Sequence, residues 1–445
     1  MAAGPAAGGG VRLSMKLLPV VMALFFAFGF CTVLIDTLTP KLKELFTLSY
    51  QEVALTPFAF FGAYFIMALP GSWLLSKLGY LQSVTVGLVV MAAGCLLFTP
   101  AAQSGQYSFF LLAVFVLAGG VTIVQVAANP LAANIGDARY SHSRLTLAQA
   151  FNSLATMVGP LFGAALILKG SRPLPDPKTV SPAALDALRR TEAHAVQGPF
   201  FGIAIAVLVL AGLCALFYRY SPKQKLEDAS GYAKLLRDKR LMFGVCCIFL
   251  YVGAEVAIGS FLTNYLLQPS VGLPALQRWA DAHGGLAIQA AGSLVSVYWG
   301  LAMVGRFIGA GVLRKVKAGT VLLAAAVLAI VLASLSILSA GMFAGALILC
   351  VGFANSIMFP TIFTLAIEEL GEDSAAGSGL LAMAIVGGAV IPLIVGHLAD
   401  KVGLGHAFFV PVLCYVGIAF YGLATRNGWV DPPGARQPAE AGKAG

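Results

Sequence analysis

Two carboxylates and a guanidinium stand inside long apolar runs of this sequence. Asp36 interrupts "FFAFGFCTVLIDTLTPKLKELF", Glu255 interrupts "LYVGAEVAIGSFLTNYL", and Arg306 follows "VYWGLAMVG". An ionised side chain at the centre of a membrane helix costs about 2.5–3.5 kcal/mol on insertion scales, so such residues are retained for a purpose. A carboxylate in a low-dielectric site is unfavourable when charged and empty, which raises its affinity for a proton or a cation. Asp36 and Glu255 therefore read as cation-coupling groups, with Na+ near Asp36 or a proton as the occupant. Arg306 lies toward one end of its run and reads as a structural or gating charge.

The remaining polar residues in the apolar runs are mostly neutral. Gln125 and Asn129 stand four apart in "TIVQVAANP", and Gln149 and Asn152 three apart in "LAQAFNS", so each pair shares a helix face. Tyr251 stands one turn before Glu255, Trp299 lies in "VYWG", and Asn355 precedes Phe359 by one turn in "FANSIMFP". Amides offer donor and acceptor together, as a hydroxyl-rich ligand requires, and aromatic faces cover the C–H faces of a sugar ring. The set suits a neutral polyol. The competing reading of any one amide is a hydrogen bond that joins two helices. No HExxH, P-loop or GxSxG motif occurs, and the five histidines are scattered, so neither an enzyme, a resident cofactor nor a metal site is expected.

The elements that position these residues are membrane helices. Hydrophobic residues make up 59% of the 445-residue chain and charged residues 11%, with mean hydropathy +0.88. A soluble domain is about a quarter charged. Apolar runs of roughly 20 residues, enough to cross a bilayer, recur from end to end. Twelve spans are expected, near 17–40, 53–76, 81–101, 108–134, 145–168, 199–218, 241–267, 289–313, 319–339, 342–367, 375–398 and 405–425. The seven cysteines all fall in these spans and read as small packing residues. The fold class is all-α, in two six-helix bundles at 17–220 and 241–426. A basic linker at 221–240 joins them, and 1–16 and 427–445 are tails expected to be disordered.

Placing both termini in the cytoplasm puts 18 of the 28 Lys and Arg there and 9 opposite, with Arg306 inside a span. The net charge of +9 is thus a topology signal, and no nucleic-acid partner is expected. An internal repeat supports the halves. A shift of 238 carries Gly62, Gly71 and Lys77 onto Gly300, Gly309 and Lys315, and a shift of 230 carries Gln125 and Pro130 onto Asn355 and Pro360. Six spans per half relate the repeats by an axis along the membrane normal.

The ordered motifs "QVAANP", "RLTLAQAFNS", "YVGAE" and "FPTIF", with the Asp36 run, resemble the fucose–proton symporter family of the major facilitator superfamily, most of all its glucose/galactose transporter branch. The likeness covers nearly all of 17–425. It implies import of a hexose with a coupling cation, Na+ or H+, by alternating access in the inner membrane, as a monomer. Asp36 matches the aspartate that fucose carriers use for coupling. Their fourth-span glutamate is Gln125 here, and their seventh-span glutamine is Glu255, so the second acid stands across the cavity. Fucose or an N-acetylhexosamine as substrate, a polyspecific exporter and a non-transporting sugar sensor remain open alternatives.

Overall fold

The computed structural model describes residues 13–46, 55–163, 182–218, 232–283 and 286–430, with residues 48 and 52. Most of the expected tails and linker (1–12, 219–231 and 431–445) lie outside this set. Fourteen helices carry the architecture. The first half contains α1 (Leu18–Phe46), α2 (Leu55–Leu78), α3 (Tyr80–Ser104), α4 (Tyr107–Asn134), α5 (Ser141–Gly163) and α6 (Pro182–Leu216). In the second half, α7 (Lys239–Leu266), α8 (Ala287–Val312) and α9 (Ala318–Leu338) are single spans. The tenth span is α10 (Gly341–Asn355) plus α11 (Met358–Ile367), the eleventh α12 (Ser374–Met383) plus α13 (Gly387–Val402), and the twelfth α14 (Phe409–Arg426).

Among the described residues eleven helical stretches are long and apolar enough to span a membrane. The one expected span that is missing from them is α5, whose described part carries Ser141, His142, Arg144, Gln149 and Asn152. Helices suit this solvent because they satisfy their own backbone groups where no water can. Faces turned away from the bundle are as apolar as its core: Phe65, Ile66 and Trp73 on α2 and Leu208 and Val209 on α6 are all exposed. Exposed apolar surface on this scale is a lipid-facing surface.

The packing repeats between halves. Spans one and five, two and four, three and four, and three and six pack together, and so do seven and eleven, eight and ten, nine and ten, and nine and twelve. Each pair in one half becomes its counterpart by adding six. The halves meet through α5 against α8 and α2 against α12, a second exchange-related pair. This is the two-bundle architecture expected from the sequence. At its start, Leu13 donates its backbone N–H to Asn134, and Gly136 donates back to Leu13, fastening the entry of α1 to the end of α4.

Candidate functional site

The site begins with a proline. Pro360 has no N–H, so the carbonyl of Ser356, four residues before it, loses its helical donor. The tenth span is interrupted there, between Asn355 and Met358. Arg306 on α8 donates Nε to that Ser356 carbonyl at 3.1 Å. Close approach is possible because α8 presents glycine: a Cβ at Gly305 would run into Ser356, and one at Gly309 into Ile357.

Arg306 reaches both halves. Its Nη1 donates to the Gln149 carbonyl at 3.2 Å and to Ser153 Oγ, both on α5. Its Nη2 lies 4.0 Å from Glu255 Oε1 on α7, with the two side chains 9% and 13% exposed. So little water reaches this pair that each charge depends on the other. Tyr251 donates its hydroxyl to Glu255 Oε1 at 2.7 Å and contacts the Asn355 carbonyl at 3.1 Å. The Tyr251 and Phe359 rings lie 6.4 Å apart. Asn355 donates Nδ2 to Tyr298 on α8 at 2.8 Å, while its buried Oδ1 has no hydrogen-bond partner among the described residues. Trp299 meets Tyr298 edge to face at 5.2 Å and covers Gly259.

The first half supplies a second group of amides. Gln125 donates Nε2 to Tyr64 on α2 at 2.6 Å. Asn129 is buried one turn on, its Oδ1 without a hydrogen-bond partner among the described residues. Asn152 donates Nδ2 to the Phe25 carbonyl at 3.2 Å, reaching α1 because Gly29 has no side chain there. In this conformation Asn152 joins two helices. Asp36 stands on α1, and its side chain lies outside the described residues.

Of the residues expected from the sequence, Tyr251, Glu255, Arg306, Asn355 and Phe359 thus form one contiguous group, with Trp299 beside Tyr298 at its edge. Gln149 joins this group through its carbonyl, whereas its side-chain amide was the expected contributor. Gln125, Asn129 and Asn152 stand in the opposite half. Tyr64, Tyr298, Ser153 and Ser356 were missed. An aromatic or a serine within an apolar run carries no polar signal of its own, although Tyr64 and Tyr298 sit on repeat-related helices.

One end of the molecule is sealed between halves. Ser143 donates to the Ala310 carbonyl at 2.6 Å, and Ser72 to the Ala375 carbonyl at 2.9 Å. His142 Nδ1 and Thr364 Oγ1 are 2.6 Å apart, and His142 Nε2 lies 3.8 Å from Glu368 Oε1. That contact is an ion pair only while the imidazole is protonated. Arg240 completes it with Glu368 at 2.5 Å and Glu369 at 3.1 Å, and donates Nε to the Leu365 carbonyl. Burial pushes the Glu368 carboxyl up, but His142 and Arg240 outweigh it and hold the group below the ordinary glutamate range. Arg144 ends α4, donating to the carbonyls of Ala132, Ala133 and Asp137 at 3.3, 2.6 and 2.5 Å. A cleft of about 600 Å³ beside Tyr140, Ile308 and Arg314 opens at this end, away from the Glu255 group.

Known proteins resemble this chain along most of its length. The chain is 45% identical over 409 residues to the glucose/galactose transporter of Brucella abortus, covering 90% of this chain and 92% of that one. It is 31% identical over 416 residues to the L-fucose-proton symporter of Escherichia coli, covering 90% and 91%. Among solved structures, the transporter FucP in its outward conformation superposes with TM-score 0.81 at 28% identity, over 92% of this chain and 99% of that one. Residues 20–391 match the Major Facilitator Superfamily. With packing that repeats between the halves and with these relatives, the chain belongs to the major facilitator superfamily.

Proposed function

We propose that this protein imports a hexose of the glucose/galactose type together with a proton, by alternating access between its two halves. The observation that carries the reading is the Tyr251–Glu255–Arg306 group, a carboxylate within the bilayer beside the Tyr251 hydroxyl and an arginine that reaches Gln149 and Ser153 of the other half. The relatives' names point to the same substrate class. A proton is favoured over Na+ because a relative 31% identical to this chain is named an L-fucose-proton symporter. Na+ at Asp36 is the alternative.

The basic residues Lys77, Arg139, Arg144, Arg240, Arg314 and Lys315 gather at the sealed end, which supports placing that end in the cytoplasm. Both termini then lie inside the cell, and the conformation faces outward. Coupling is energetically sufficient. One charge crossing about 150 mV supplies roughly 3.5 kcal/mol. That supports accumulation of a few hundredfold at about 1.4 kcal/mol per decade.

The test is uptake of labelled glucose and galactose into proteoliposomes, with pH and sodium gradients imposed separately. Accumulation driven by the pH gradient alone is expected. Accumulation driven by sodium alone would move the coupling site to Asp36, and binding without uptake would make the protein a sensor.

A further inference from the structure

We propose that Arg306 ties closure of the seam between halves to the charge on Glu255, so that loading the acid loosens the cytoplasmic end. The inference rests on Glu255 being the coupling acid.

Arg306 belongs to the second half, yet two of its hydrogen bonds end on α5 of the first, at Gln149 and Ser153. It is 7% exposed as a residue. A guanidinium sealed so far from water needs a counter-charge as well as carbonyls. Glu255 is the carboxylate within reach, and it shares no half with α5. Around it stand Tyr251 on its own helix, Tyr298 on α8, Tyr415 on α14 and the neutral Gln149 and Ser153 of α5. Among these groups Arg306 carries the positive charge.

When Glu255 is ionised, closing the seam buries a compensated pair. When a proton neutralises Glu255, the same closure buries Arg306 with carbonyl and hydroxyl partners alone, and opening the seam to water relieves it. The empty carrier therefore favours the outward-facing form, and the loaded carrier favours opening toward the cytoplasm. That order suits import from the outside. Arg306 acts here as a positioning residue, through the seam rather than on the sugar.

The test uses the full-length protein in detergent, with Thr146→Cys as a reporter. Thr146 is fully buried on α5, facing Gly309 of α8 across the seam. Maleimide labelling is counted against the same protein without that substitution, since Cys246 and Cys350 are exposed. The reporter alone should label slowly. Glu255→Gln should speed labelling by at least about tenfold, the change given by roughly 1.4 kcal/mol. Glu255→Asp, which keeps the charge, should remain slow and controls for misfolding.

The decisive variant is Glu255→Gln with Arg306→Gln. Removing the stranded guanidinium should return labelling toward the slow rate. The proposal is overturned if Glu255→Gln leaves the rate unchanged, if Glu255→Asp opens the seam equally, or if the double variant labels as fast as Glu255→Gln or faster. No sugar is present in these measurements. Glucose counterflow by the unsubstituted protein therefore judges the hexose assignment separately, and its failure would leave the labelling pattern to decide the latch.

Discussion

Gln125 on α4 donates its amide to the hydroxyl of Tyr64 on α2, at 2.6 Å. The other half contains the same device: Asn355 on α10 donates to Tyr298 on α8 at 2.8 Å. In each half the fourth span's amide is held by a buried tyrosine on the second span. The tyrosines fix which way the amides point, and so which sugar hydroxyls they could meet.

Tyr64→Phe is expected to free the Gln125 amide and raise the half-saturating glucose concentration about fivefold, the equivalent of one hydrogen bond of about 1 kcal/mol. The maximal rate should change less. Initial rates of labelled glucose uptake across a concentration series give both quantities.

Glu255→Gln should abolish uphill accumulation while leaving glucose counterflow in place. Counterflow exchanges loaded carriers and needs no net movement of the ion. If the variant still concentrates sugar in proteoliposomes, Glu255 has no coupling role.

Arg144→Gln removes a charged donor from two carbonyls at the end of α4 and from that of Asp137 just beyond it. Hydrogen bonds to charged groups contribute about 1.5–3 kcal/mol each. The buried acceptors would lose most of that, so the unfolding temperature in detergent should fall by several degrees. Thermal unfolding followed by tryptophan fluorescence measures this, and an unchanged midpoint would show that water replaces the guanidinium.

Glu368 makes the sealed end sensitive to acid. Its folded pKa lies below the unfolded value of about 4.3, so its contribution is fully present above that value. It is lost as the pH falls through the folded pKa. The side chain is 46% exposed, so solvent screening keeps the effect small. Between about pH 5 and 3 the unsubstituted protein should lose more thermal stability than Glu368→Gln, the difference being read from paired melting curves.

The helices and the two bundles were legible because an apolar run of bilayer length admits few other structures. Asp36, Glu255 and Arg306 were legible as residues, since charge in an apolar run stands out. Their partners were not. The Arg306 bond to Ser356 is to a backbone carbonyl released by Pro360, and nothing in the residue type of Ser356 announces it. Gln149 contributes its carbonyl in place of the side chain that its amide character recommends. His142 looked like one of several scattered histidines near span ends. Only the approach of α5 to α11 brings it to Thr364 and Glu368.

The break between Asn355 and Met358 has no counterpart in α4, which runs unbroken through its own Pro130. One block of the carrier is therefore stiff along its fourth member, while the other has a joint at the same depth. Torque applied during turnover should collect at that joint. The second block is then the one to bend internally as the carrier reorients, while the first swings as a rigid piece.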